Sequence, residues 1–239
     1  MRTGDFLAYR TVPLGVALAA TACVSVFAGS AAAQTTTRCA ASAWRVTGGT
    51  ADEHRLICEG VDQTSTLLES CGITRSEPMD MVVVPSLVDF CGSEAHAVFD
   101  SRDKTIRIAP LDVCASQKTD KDLFQFVSPD AAYRSVAAHE AAHAILDANG
   151  MRPEQWVANE YVAAVSQFSS IPPQERERLI LSVARPGTVS DSRINAMYYA
   201  LAPLRFAANS WLHYSELPDH CAFLNDLVSG EYAFAEPPL

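Results

Sequence analysis

His139-Glu140-Ala141-Ala142-His143 places two imidazoles four residues apart with a carboxylate between them. On an α-helix, residues i and i+4 share a face about one turn apart, so both rings can reach a single metal ion. Glu140 is rotated to the side of that face, where it can polarise a water molecule rather than ligate. The chemistry open to such a set is metal-assisted hydrolysis. It requires two things more: a helix beneath the motif and a third ligand.

The flanking residues predict the helix. Ser128-Pro129-Asp130 offers an N-cap hydroxyl, a proline at the first helical position and an acid in the first turn. From Ala131 to Ala148 there is no Gly or Pro, and Asn149-Gly150 supplies a left-handed stop. The eight alanines of that stretch add little apolar bulk but let neighbouring elements approach closely. The plainer alternative is an Ala-rich core helix whose two His happen to fall four apart.

The third ligand separates the classes of such sites. Leu146 and Asn149 stand where a metzincin would carry Gly and a third His, which disfavours that class. Pro153-Glu154-Gln155 opens a second helix running to about Phe168, with Val157, Tyr161, Ala164, Val165 and Phe168 at a 3.6-residue period. Glu160 falls on the inward side among Trp156, Val157 and Ala164, where an ionised carboxylate needs a partner that a metal ion would supply. Glu154 is the rival, but in the first turn the helix dipole accounts for an acid without a metal.

The run Asn159-Glu160-Tyr161-Val162-Ala163 resembles the N-E-x-x-A element of gluzincin metallopeptidases, and Trp156 before it is similar to the aminopeptidase form. The likeness covers residues 128–168 and is nearest to small secreted bacterial gluzincin-like proteins. It implies Zn²⁺ held by His139, His143 and Glu160, Glu140 as general base, and a peptide or protein substrate. Two features depart from the family pattern. Sixteen residues separate His143 from Glu160, slightly fewer than usual, and Ala164 stands where thermolysin-like enzymes carry an acid behind the ligands. The family also places a His or Tyr donor for the oxyanion about 70 residues beyond the zinc motif. His213, with Tyr214 beside it, occupies that place; the alternative is that both simply pack on a helix surface.

Outside the motif, Arg2 and Arg10, the apolar run from Val12 to Phe27 and Ala31-Ala32-Ala33 read as a secretory signal peptide cleaved after Ala33. The expected location is therefore periplasmic or secreted, with no stable membrane insertion after cleavage. Beyond the leader stand Cys39, Cys58, Cys71, Cys91, Cys114 and Cys221, an even set that reads as three disulfides, with Cys91–Cys114 the first pairing to expect. The whole chain carries a net charge of −10, and removing two Arg and one Asp with the leader leaves −11. An acidic chain without a basic cluster is a poor partner for nucleic acid or anionic membrane.

The elements that must position the motif follow from pattern. Asp62 to Ser70 reads as a short helix capped by Asp62, Met81 to Val84 as a buried strand, and Ala95–Phe99 with Thr105–Ala109 as a hairpin. The expected fold is α+β and compactly zincin-like. A small sheet within 34–127 precedes the zinc helix and a helical part over 128–239, together forming one domain over 34–239. Three or four further helices are expected in 154–229. By analogy with gluzincins, the 105–109 strand is the edge expected to pair with an extended peptide. Readings from other classes are a catalytically weak or inactive zincin-fold binding protein, and a disulfide-stabilised exported domain without metal.

Overall fold

The computed structural model describes residues 35–75, 77–87, 95–116, 123–184 and 189–235. The expected leader with its cleavage site and the Cys91 half of the Cys91–Cys114 pairing lie outside the described residues. The architecture is α+β.

Its centre is helix α3, Pro129–Ala148, which carries the H-E-x-x-H run. Ala131, Ala132, Ala137, Ala138, Ala141, Ala142 and Ala144 are all buried, so the helix is enclosed by other elements on most of its surface. The small side chains allow close contact. Helix α1, Ala51–Glu69, crosses α3 at Gly60, where an added Cβ would stand 2.2 Å from the Arg134 carbonyl oxygen. One turn along, the Thr64 hydroxyl donates to the Ala138 carbonyl at 3.1 Å. Any larger residue at Gly60 must push α1 away from the helix that holds the motif.

Two helix starts differ from the sequence reading. α1 begins at Thr50, whose side chain accepts from the Glu53 N–H while the Glu53 carboxylate accepts from the Thr50 N–H. Asp62 is therefore mid-helix and accepts from the Ser42 hydroxyl at 2.9 Å, while Gly72, with φ +76°, follows the helix end as expected. At α3, Pro129 and Asp130 take their expected places, but the Ser128 hydroxyl does not cap the helix. Its backbone N–H and hydroxyl donate to Glu175 at 2.6 and 3.1 Å instead. A carboxylate 47 residues away outcompetes the local cap. Gly150, with φ +78°, provides the stop.

Among the described residues, five strands form one mixed sheet in the order β1-β2-β3-β5-β4. They are β1 Thr36–Arg38, β2 Trp44–Thr47, β3 Met79–Val83, β4 Ala97–Asp100 and β5 Thr105–Ile108. β2, β3 and β5 run parallel, while β1 and β4 pair antiparallel at the two edges. Alternate residues Met79, Met81 and Val83, with Ile106 and Ile108, are buried, which fixes the register against the helices. The hairpin forms as expected, but β5 is bonded on both sides. The strand expected to offer a free edge is interior, and β4 is the edge instead. The register with β5, together with the Ala109 N–H bonded to the His96 carbonyl, turns the peptide groups of Ala97 and Phe99 away from β5.

After α2, Leu111–Ser116, and α3 come α4 Trp156–Ser170, α5 Pro173–Val183, α6 Ala196–Leu201, α7 Pro203–Glu216 and α8 His220–Ser229. Five α-helices thus follow the motif among the described residues, where three or four were expected; the short α6 lacks a clear apolar period. Disulfides Cys39–Cys58 and Cys71–Cys221 tie the strand β1–β2 region to α1 and the end of α1 to α8. Cys114 is buried on α2. Disulfides are compatible with an exported protein, and no described helix is long and apolar enough to cross a membrane.

Candidate metal centre

α3 and α4 bring His139, His143 and Glu160 to one point, with a ligand atom from each lying within 4.8 Å of the others. His143 Nε2 is 3.0 Å from His139 Nε2, and the Glu160 carboxylate oxygens are 3.5 Å from His139 Nε2 and 3.8 Å from His143 Nε2. Ligand atoms bound at about 2.1 Å in a tetrahedral shell stand about 3.4 Å apart, so this triangle has the size that one small cation requires. Glu160 Oε2 is buried and has no hydrogen-bond partner. A buried carboxylate oxygen left in that state is costly unless a cation meets it. The three residues fit a divalent metal ion in both spacing and donor chemistry.

The electrostatics point the same way. Burial pushes the Glu160 carboxyl up, but the two imidazoles and the Tyr199 hydroxyl outweigh it and hold the group at about 2. Burial lowers His139, yet its contact with Glu160 dominates and the net shift is upward. The carboxylate is therefore ionised and the site strongly favours positive charge. Side chains of His139, His143 and Glu160 keep 21%, 17% and 18% of their surface exposed, enough for a ligand to reach them from solvent.

The imidazoles are oriented from behind. His143 Nδ1 bonds to the Asn159 carboxamide oxygen, which can only accept, so Nδ1 carries the proton and Nε2 presents its lone pair to the triangle. In the sequence, the only signal for Asn159 is its place next to Glu160 in the N-E-x-x-A run. His139 Nδ1 is buried and lacks such a partner. Ala164 leaves that place open, and Gln167, one turn further on α4, lies close enough to help raise His139.

The triangle opens onto a cavity of about 490 Å³ lined by β4, α3 and α4, with Tyr199 from α6. Glu140 lies on its wall, 9% exposed, and its Oε2 accepts the Phe99 N–H at 2.7 Å. The motif's glutamate is thus pinned to the edge strand beside the triangle without being part of it. Tyr199 packs edge-on against Trp156 at 5.6 Å and against Phe206 at 5.4 Å. Burial, then the nearby Glu160 charge, push its phenol well above the ordinary value, so it stays a proton donor. No spacing signal in the sequence marked Tyr199. A second cavity of about 380 Å³ shares His139, Glu160 and Tyr199 and is otherwise mostly apolar, with Leu123, Val136 and Phe206 among its walls and His96 at one side.

The structure does not bring His213 to this centre. His213 Nδ1 lies 2.9 Å from the Tyr161 hydroxyl and Nε2 lies 3.1 Å from Asp191 Oδ1. The ring packs on Phe223 and Phe234, and it lines neither cavity. Tyr214 stacks near Trp211 and His220, also outside them. Distance along the chain placed these residues; a different aromatic, Tyr199 of α6, lines the cavity beside His139, His143 and Glu160. Glu154 is exposed on the 3-10 turn Pro153–Gln155 and outside the ligand group. Asp147 pairs with Lys104 at 2.7 Å on the cavity rim. His54 is buried, bonded to Thr37 and to the Gly48 carbonyl.

An α+β domain with a His-His-Glu group on two packed helices is the class that fold and site define. The chain belongs to a family described as a family of unknown function (DUF6639), whose model matches residues 44–237. Neither the curated proteins nor the solved structures include a match.

Proposed function

We propose that this protein is an exported zinc-dependent peptidase of gluzincin type, directed to the periplasm or the exterior by residues 1–33. The observation that carries the reading is the convergence of His139, His143 and Glu160 on one point, with Glu140 beside them and an open strand edge alongside. Two imidazoles and a carboxylate are a ligand set suited to catalytic zinc, which when bound supplies a Lewis acid that polarises a carbonyl and acidifies water. The remaining work falls to the chain's own residues.

Apart from the Phe99 N–H, which Glu140 takes, the outward peptide groups of β4 can hold an extended substrate by main-chain hydrogen bonds along the cavity. Glu140, held by the Phe99 N–H, takes a proton from the attacking water and returns it to the leaving amine. The Tyr199 hydroxyl is the donor available to the oxyanion, a role that His213 cannot fill from its place beside Asp191. Asn159 keeps His143 in the tautomer that ligates.

The test is cleavage of a broad peptide library by zinc-supplemented protein comprising residues 34–239, read by mass spectrometry. Cleavage is expected to stop on adding a strong chelator, and to fall by about 10²–10⁴-fold in Glu140→Gln at unchanged metal content. Cleavage that persists in Glu140→Gln would overturn the reading, as would a metal-loaded wild type that cuts no peptide.

A further inference from the structure

We propose that Arg193, Tyr198, Arg205 and Asn209 form a binding site for an oxyanion, separate from the metal centre. Together they line a pocket of about 280 Å³; among the described residues no carboxylate contributes to its wall, and it shares none of them with the two cavities at the triangle.

The described arginines divide into those seated on a carboxylate and those, such as Arg152, Arg176, Arg193 and Arg205, without an ion pair among the described residues. In a chain of net charge −10, Arg45, Arg55, Arg102, Arg107 and Arg134 each sit on an Asp or Glu. Arg193 and Arg205 border one small pocket, and neither has an ion-pair partner among the described residues. Two guanidinium groups beside one recess repel each other, and an anion between them converts that repulsion into attraction.

The donors are also held in place. Arg205 gives Nε–H to the Val183 carbonyl at 2.9 Å, which fixes the plane of the guanidinium and leaves its terminal N–H groups unspent. Asn209 is 2% exposed, and its Nδ2 reaches the Arg193 carbonyl at 3.4 Å, holding the turn that presents Arg193. The Tyr198 N–H is capped by Asn195 at 3.0 Å, which anchors the start of α6 and with it the phenol on the pocket wall. Among the described residues the pocket therefore offers N–H and O–H donors and no competing carboxylate. Arginine forks match the oxygens of phosphate and carboxylate alike, so the ligand class is an oxyanion head group of either kind. α6 carries Tyr198 to this pocket and Tyr199 to the metal centre, so the anion would brace the same short helix that supplies the triangle's aromatic wall.

Isothermal titration of the protein with inorganic phosphate and, separately, with acetate at low ionic strength tests the site without reference to hydrolysis. Saturable one-to-one binding of at least one anion is expected. Arg193→Gln, a change at an exposed side chain, should weaken it at least about tenfold, and Arg178→Gln on the exposed face of α5 should leave it unchanged. The tighter of the two anions identifies the source as a phosphate or a carboxylate group. Absence of saturable binding by both anions would overturn the proposal. So would equal binding by wild type and Arg193→Gln, with melting temperature confirming that the variant is folded.

Discussion

Two regions of this protein set histidine against carboxylate and tyrosine, and they do so to opposite ends. Between α4 and α7, His213 Nε2 faces Asp191 at 3.1 Å and Nδ1 is bonded to the Tyr161 hydroxyl, while Asp191 also accepts from Tyr232. Every polar atom of that ring is spent inside the fold. Between α3 and α4, His139 Nε2 and His143 Nε2 stand 3.0 Å apart and Glu160 keeps a buried oxygen without a hydrogen-bond partner. Buried polar groups usually complete their hydrogen bonds within the protein. A set whose ligand atoms converge on one point in this way fits a cation at that point. Composition cannot separate the two regions; the direction of the lone pairs does.

The comparison is sharpest in turnover. If Tyr199 is the donor that faces the reacting centre, Tyr199→Phe should lower kcat by about 10²-fold with little change in KM and with zinc retained. His213→Ala should do neither. A loss in His213→Ala with none in Tyr199→Phe would reverse the assignment of the two regions.

A smaller effect is expected behind the ligands. Asn159→Ala removes the acceptor that fixes His143, and zinc affinity should fall about 10–100-fold in a competition titration against a chromophoric chelator. Affinity unchanged from wild type would mean that packing alone orients the ring.

The smallest effect belongs to the satisfied region. Tyr161 is fully buried, so His213→Ala strands its hydroxyl and should cost about 1–3 kcal/mol of unfolding free energy. Denaturant unfolding measures this, with metal content and turnover per folded molecule unaltered. A loss of metal in that variant would show that the two regions are one functional unit.

What could be read from the chain and what could not divide along the same line, local against long-range. The helix that carries the H-E-x-x-H run was legible because its proline start, glycine stop and His spacing are all local. The hairpin of β4 and β5 was legible because four residues of turn separate two alternating runs. Glu160 could be chosen over Glu154 because a helical period places it inward. The local signal that starts α1 is the Thr50 and Glu53 capping box, a dozen residues before the expected start at Asp62. The rest needed contacts that sequence spacing does not encode. Ser128 is claimed by Glu175, β4 rather than β5 ends the sheet, and the partners of His213 come from α4 and from residue 191. Tyr199 lines the cavity beside the His-His-Glu group, its ring packed on Trp156 and Phe206, contacts that no local pattern marks.

Metal stoichiometry tests the central claim most directly. Wild type, Glu160→Gln and Glu154→Gln, each comprising residues 34–239, are loaded with zinc, dialysed against a weak chelator and measured by elemental analysis, with melting temperature alongside. The account predicts about one zinc per chain in wild type and in Glu154→Gln. Glu160→Gln, which replaces an anionic ligand with a neutral amide, should lose the metal and the stabilisation that binding confers. A wild type that holds no zinc, or a Glu160→Gln variant that keeps it while Glu154→Gln loses it, would contradict the account.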